Sequence, residues 1–165
     1  MIKIILAMVF SSLLITPAHA ADFKWMDGQG DVYSLSEKYK EQPVIVHFWA
    51  SWCPPCVAEM PEIAIWLKKH PQVKFLAVSV DNKLTTAQSF LQKNNISLTT
   101  VLTDNAQSAR LSVRGLPTTI LINAKHDIIS THIGMQDWQK KRWGDRILSL
   151  FPNTAPQEIS LRKEN

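Results

Sequence analysis

Cysteine is scarce in this chain, two residues out of 165. Two are too few to staple a disulfide-dense miniprotein and only half the ligand set of a structural zinc site. Charge is thin as well, at 19% of residues, with a formal net charge of +4. The longest basic clusters are Lys68-Lys69 and Lys140-Lys141-Arg142. Neither is the concentrated stripe of a nucleic-acid binder, so nucleic acid is not an expected partner and these charges read as solvated helix faces. Glycine, at five residues, excludes a collagen-like fibre, and neither an internal repeat nor a low-complexity linker is present. No apolar run approaches the roughly 20 residues of a spanning helix. What is there is a 45% hydrophobic composition, which suits one ordinary globular domain with a real core and not a disordered tail.

The first twenty residues read as a segment apart from the fold. Lys3 gives a short positive start, and Ile4 to Ile15 is a 12-residue run without a charge. Pro17-Ala18-His19-Ala20 places small residues three and one positions before a cut after Ala20. This is the pattern of a secretory signal peptide over residues 1–20. The alternative, a retained anchor, asks for a longer apolar run. No cysteine follows the cut, which argues against lipid anchoring. The chain is therefore expected to be exported, periplasmic or otherwise extracytoplasmic, and free of the membrane after cleavage. Its folded domain would occupy residues 21–152, with a polar, fraying tail over 153–165.

Strands and helices alternate along that domain. Asp27-Gly28-Gln29-Gly30-Asp31 between apolar flanks signals a hairpin over residues 23–35. The near-continuous apolar run Val44 to Trp49 predicts a buried central strand. A helix is expected over residues 54–69, with Val57, Met60, Ile63, Ala64 and Leu67 on its inner face and a kink at Pro61. Further strands are expected at residues 73–80 and 97–102, and a short helix at 87–93. A second hairpin joins residues 118–123 to 128–133, and a helix over 138–151 closes the chain. This alternation means an α/β fold with a mixed sheet covered by helices.

The chemistry is concentrated in Trp52-Cys53-Pro54-Pro55-Cys56, where the central strand meets its helix. Two cysteines three apart at a helix start can close a disulfide with little rearrangement. Cys53, at the N-cap, faces unpaired backbone N–H groups and the positive end of the helix dipole, which stabilise a thiolate. Cys56, one turn in, is the shielded resolving thiol. Attack by Cys53 on a partner disulfide gives a mixed disulfide, and Cys56 then releases the reduced partner. Pro54 suits the first helical position. Each proline also removes a donor that could have faced the Cys53 sulfur, leaving the Cys56 N–H as the main one. That predicts a moderate thiolate stabilisation and tilts the reading toward a reductase.

Other readings of the pair stay open. A static disulfide would close a tiny loop and restrain little of the unfolded chain. A Cu(I)-handling protein could use two thiolates, although nothing else soft sits beside them. An oxidase that introduces disulfides would use the same motif in the other direction. A thiol peroxidase would not need the motif at all. No cofactor or resident metal is implied.

The run Phe48-Trp49-Ala50-Ser51-Trp52-Cys53-Pro54-Pro55-Cys56, with Glu59-Met60-Pro61 after it, resembles the extracytoplasmic thioredoxin-like reductases of the TlpA/ResA type. Arg114-Gly115-Leu116-Pro117-Thr118-Thr119 is similar to the second signature of that family. The resemblance covers residues 23–151 and implies a thioredoxin fold with an N-terminal hairpin and an inserted βα element between Val80 and Gly115. It implies a cis peptide bond at Pro117, with the Leu116 backbone free to pair with a substrate strand. It further implies protein disulfides as substrates, apocytochrome c cysteines among them, and a membrane thiol-transfer protein as electron donor. Glu59 corresponds to a family residue that tunes the cysteine pair. His47 stands where thioredoxin has a buried aspartate, and an imidazole titrating near working pH could relay the second proton. Thr118 departs from the family, since some cytochrome c maturation reductases carry a glutamate there. Trp52 is expected exposed beside the nucleophile, contacting the partner. Phe48 and Trp49 are expected in the core, and Trp138 and Trp143 are assigned packing alone.

Overall fold

The N-terminal turn signal folds into β1 (Lys24–Met26) paired antiparallel with β2 (Val32–Ser34), in a computed structural model that describes Ala20 and residues 23–151. The rest of the expected signal segment and the expected polar tail lie outside the described residues. Ala20 itself is buried, and its N–H donates to the His126 carbonyl at 2.8 Å.

A short helix, α1 (Leu35–Lys38), follows β2 directly. The Ser34 hydroxyl accepts from the Glu37 N–H at 3.3 Å, and the Glu37 carboxylate accepts from the Ser34 N–H at 3.0 Å. This reciprocal capping box holds a helix too short to persist alone. Next come β3 (Val44–Trp49) and α2 (Pro54–Lys69), both with the bounds expected from the sequence. The chain continues through β4 (Phe75–Ser79), α3 (Leu84–Lys93), β5 (Thr100–Leu102) and α4 (Asn105–Arg110). It closes with β6 (Thr118–Ile122), β7 (Ile128–Ile133) and α5 (Lys141–Leu148).

The seven strands form one sheet in the order β2-β1-β5-β4-β3-β6-β7. Strand β3 pairs parallel with β4 and antiparallel with β6, so it lies near the middle and is buried at every position. Side chains alternate across a strand. Ile45 and Trp49 therefore pack with Met60, Ile63 and Trp66 of α2 and Ile147 of α5 on one face. Val44, Val46 and Phe48 pack with Phe23, Trp25, Leu35 and Leu111 on the other. This is the expected mixed α/β sheet, with the inserted α3 and β5 between β4 and β6.

Several details differ from the expectations. The buried face of α2 is Cys56, Glu59, Met60, Ile63 and Trp66, rotated from the apolar set read in the sequence because a carboxylate occupies an inner position. Pro61 lies inside this helix, which continues past it to Lys69. The short helices α1 and α4 were not anticipated, and the closing helix begins at Lys141 and not Trp138.

Candidate functional site

The redox pair sits where β3 runs out and α2 begins. Cys53 is the N-cap of α2, Pro54 and Pro55 fill its first two positions, and the Cys53 sulfur accepts from the Cys56 N–H at 3.4 Å. Both prolines lack an N–H, so the third position supplies the first backbone donor that this helix can aim at the sulfur. Cys53 and Cys56 are joined in a disulfide with Cα atoms 5.3 Å apart. Cys53 is 5% exposed and Cys56 fully buried, whereas the neighbouring Trp52 is 66% exposed. Of the two cysteines, Cys53 alone keeps any exposed surface.

The turn before the nucleophile is held from the neighbouring strand. Asp81, just beyond the end of β4, accepts from the Ser51 N–H at 3.1 Å and from the Ser51 hydroxyl at 2.7 Å. The Ser79 hydroxyl donates to the same carboxylate at 2.8 Å and accepts the Asp81 N–H at 2.9 Å. The Trp49 indole donates to the Thr100 hydroxyl at 3.0 Å, which ties the end of β3 to β5 as well. Sequence reasoning missed Asp81. The signal that could have found it is an acidic residue at the carboxyl end of a strand parallel to the redox strand, where sites in open α/β sheets gather.

Behind the disulfide lies a buried polar cluster. Glu59, one turn after Cys56, is fully buried; its Oε1 accepts from the Trp138 indole at 2.6 Å and from the Gln136 N–H at 3.0 Å. Its Oε2 has no partner among the described residues. Burial pushes the Glu59 carboxyl above its usual range, and the two donors pull part of that shift back. Trp138 was assigned packing alone; instead its indole is the shortest hydrogen bond to this carboxylate. The Trp138 and Trp143 rings meet edge to face at 5.9 Å. Helical spacing does not apply to them because Trp138 precedes α5.

His47 joins the same cluster through its ring contacts, 5.9 Å from Phe75 and 6.5 Å from Trp138. Its Nδ1 lies 3.0 Å from the Thr119 hydroxyl. Complete burial pushes its pKa down to about 3, because charging an imidazole in this apolar setting has no compensating carboxylate contact. The expectation that it titrates near working pH is therefore overturned, and His47 is neutral throughout that range.

The second signature borders the site. The Leu116–Pro117 peptide bond is cis, as the resemblance implied. Leu116 is half-buried and packs against the cluster that contains both cysteines. No hydrogen bond among the described residues engages the Leu116 backbone, while the Pro117 carbonyl accepts from the Gly134 N–H at 2.8 Å. The Thr118 hydroxyl turns back onto the Gly115 carbonyl at 2.6 Å.

Comparison with known proteins agrees with this geometry. Residues 16–145 match the Redoxin family. The chain is 33% identical to the sporulation thiol-disulfide oxidoreductase A of Bacillus subtilis over 134 residues, covering 77% of this chain and 80% of that one. It is 30% identical to the thiol-disulfide oxidoreductase ResA of Halalkalibacterium halodurans over 126 residues, covering 74% and 71%. The crystal structure of StoA from Bacillus subtilis superposes with a TM-score of 0.61 at 30% identity, covering 74% of this chain and 94% of that one. Sequence, fold and the cysteine pair at the start of α2 lead to the same place: the chain belongs to the redoxin family and is a thioredoxin-like thiol–disulfide oxidoreductase.

Proposed function

We propose that the protein is exported, its residues 1–20 removed as a signal peptide, and that it works outside the cytoplasm as a reductase of protein disulfides. The observation that carries the direction is the weak stabilisation offered to a Cys53 thiolate. One N–H reaches its sulfur, at 3.4 Å, and the first two helical positions are prolines. A buried carboxyl one turn beyond Cys56 adds no positive charge. A dithiol whose thiolate is poorly stabilised gives up its electrons readily, whereas a strongly oxidising pair owes its potential to a stabilised reduced form.

In the forward reaction the Cys53 thiolate attacks one sulfur of the partner disulfide. The other partner sulfur leaves as a thiolate and takes a proton. Cys56, deprotonated in turn, attacks the Cys53 sulfur of the mixed disulfide and expels the second partner thiol. The partner gains two electrons and two protons, and Cys53–Cys56 becomes the disulfide found here. Trp52, Leu116 and Pro117 form the docking edge, the partner strand pairing with the unengaged Leu116 backbone. Glu59 tunes the pair from behind. His47, neutral at working pH, serves as a packed hydrogen-bonding partner of Thr119 and not as the expected proton relay. A membrane thiol-transfer protein returns the enzyme to the dithiol, and apocytochrome c cysteines are one substrate that the ResA-like resemblance favours.

The reduction potential of the pair in glutathione buffers, followed by tryptophan fluorescence, tests the direction. A value near or below about −220 mV is expected. A value near about −120 mV, that of a strong oxidant, would make the protein a disulfide-forming oxidase.

A further inference from the structure

A groove of about 730 Å³ runs between the end of β7 and the start of α5, lined by Met135, Gln136, Trp143 and the cations Lys140, Arg142 and Arg146. His132 also borders it, and burial together with Arg146 lowers its pKa, so the ring adds no charge at neutral pH. Asp137 is the one carboxylate on its wall, paired with Lys140 at 3.6 Å. Arg142 and Arg146 are exposed, four residues apart on one helical face, and no ion pair joins either to a carboxylate among the described residues. The first turn of α5 has no acidic residue and no side-chain cap. Lys140 and Arg142 thus lie at the helix end where the backbone dipole already favours an anion, while Arg146 sits one turn on, in the last turn of α5.

One wall of the groove belongs to a segment that also borders the redox site. The segment from Ile133 to Gln136 leaves β7 beside the second signature, where the Gly134 N–H binds the Pro117 carbonyl at 2.8 Å. Two residues later the Gln136 N–H binds Glu59 at 3.0 Å. Ile133 and Met135, both large and exposed, project from this segment, and Trp52 stands exposed at the disulfide. Met135, which lines the groove, and Ile133, two residues before it, thus place apolar surface between the second signature and the basic residues.

We infer that the groove of Lys140, Arg142 and Arg146 receives an acidic stretch of the polypeptide substrate, adjoining the cysteine that Cys53 attacks. This rests on the protein-disulfide reading above and adds to it the charge of the substrate. Arg142 and Arg146, with Lys140 already paired to the single carboxylate on the wall, favour a run of aspartates or glutamates. The exposed Ile133 and Met135 favour apolar residues between that run and the reacting cysteine.

The test uses the reduced protein and three synthetic peptide disulfides, homodimers of one cysteine flanked by glutamates, glutamines or lysines. In each turnover the protein dithiol becomes a disulfide and one peptide dimer becomes two thiols. Each rate is divided by that for the small neutral bis(2-hydroxyethyl) disulfide, which cancels any change in the dithiol itself. The glutamate peptide is expected to react roughly tenfold faster than the lysine peptide at low salt. That gap should close at about 500 mM NaCl, where screening is strong. Arg142→Glu/Arg146→Glu should invert the preference, and the milder Arg142→Gln/Arg146→Gln should shrink it. Equal relative rates in the wild-type protein, or a preference untouched in both variants, would overturn the groove assignment. Rapid reaction with the small disulfide but none with any peptide would overturn the protein-disulfide reading, and the groove with it.

Discussion

On one face of β3, Val44, Val46 and Phe48 meet a layer of hydrocarbon and aromatic rings. On the other, His47 shares its face with Ile45 and Trp49, in the layer that holds Glu59, Trp138 and the disulfide. Among the described residues the buried side-chain polar atoms without a partner are His47 Nε2, Glu59 Oε2 and Trp143 Nε1. All three belong to the disulfide face. Leaving a buried polar group unsatisfied costs about 1–3 kcal/mol, so the face that carries the chemistry gives back part of the stability its apolar packing supplies. The other face bears no such cost.

The largest effect should come from the apolar side. Phe48 is fully buried and meets Phe23 edge to face at 5.6 Å. Truncation to Ala should cost about 3–5 kcal/mol in chemical denaturation while leaving the reduction potential where it was. A potential that moved with stability would show that the faces are not separable.

His47 comes next. Its folded pKa of about 3 lies below the ordinary histidine value of 6.5. As pH falls between these values the unfolded imidazole takes a proton that the folded one refuses. Stability should therefore be complete above about pH 6.5 and decline at up to about 1.4 kcal/mol per pH unit below it. His47→Asn should remove this histidine's share of that slope in urea titrations at stepped pH. An unchanged slope would mean the ring is not the group responsible.

Glu59 should give the smallest effect on stability and the more informative one on reactivity. Its folded pKa is raised above 4.5, so the folded carboxyl keeps a proton that the unfolded one has released. Stability is lost as pH rises from the unfolded value through the folded one, and Glu59→Gln should abolish that loss. Trp138→Phe removes a donor to the carboxylate, so it should push the Glu59 pKa further up. A carboxyl that stays neutral no longer opposes a nearby thiolate, so the pH profile of thiol alkylation should then move to lower pH, and a profile that stays put would mean Trp138 only packs.

Much of this architecture was legible because it depends on local pattern. The apolar run Val44–Trp49 and the proline-started helix after it announced β3 and α2 with their observed bounds, and with them the position of both cysteines. The helix α1 escaped the sequence reading although Ser34-Leu35-Ser36-Glu37 spells a capping box, because four residues show no periodicity. The short α4 left only its cap, Asp104, as a sign. The burial of Glu59 was not legible, because its donors Gln136 and Trp138 lie more than seventy residues away in the chain. Trp138 looked helical by its neighbours, yet its indole is drawn toward that carboxylate and α5 starts three residues later.

Asp81 grips Ser51 by both its backbone and its hydroxyl. The turn that presents Cys53 is therefore anchored to the neighbouring strand, and its place does not depend on the sulfur–sulfur bond. None of those contacts involves a sulfur, so opening that bond removes none of them. In the proposed reductase cycle, the electron donor that takes the disulfide form and the client that takes the dithiol form meet the same contour. They can be sorted only at the two sulfur atoms, so one surface can serve both visitors in turn.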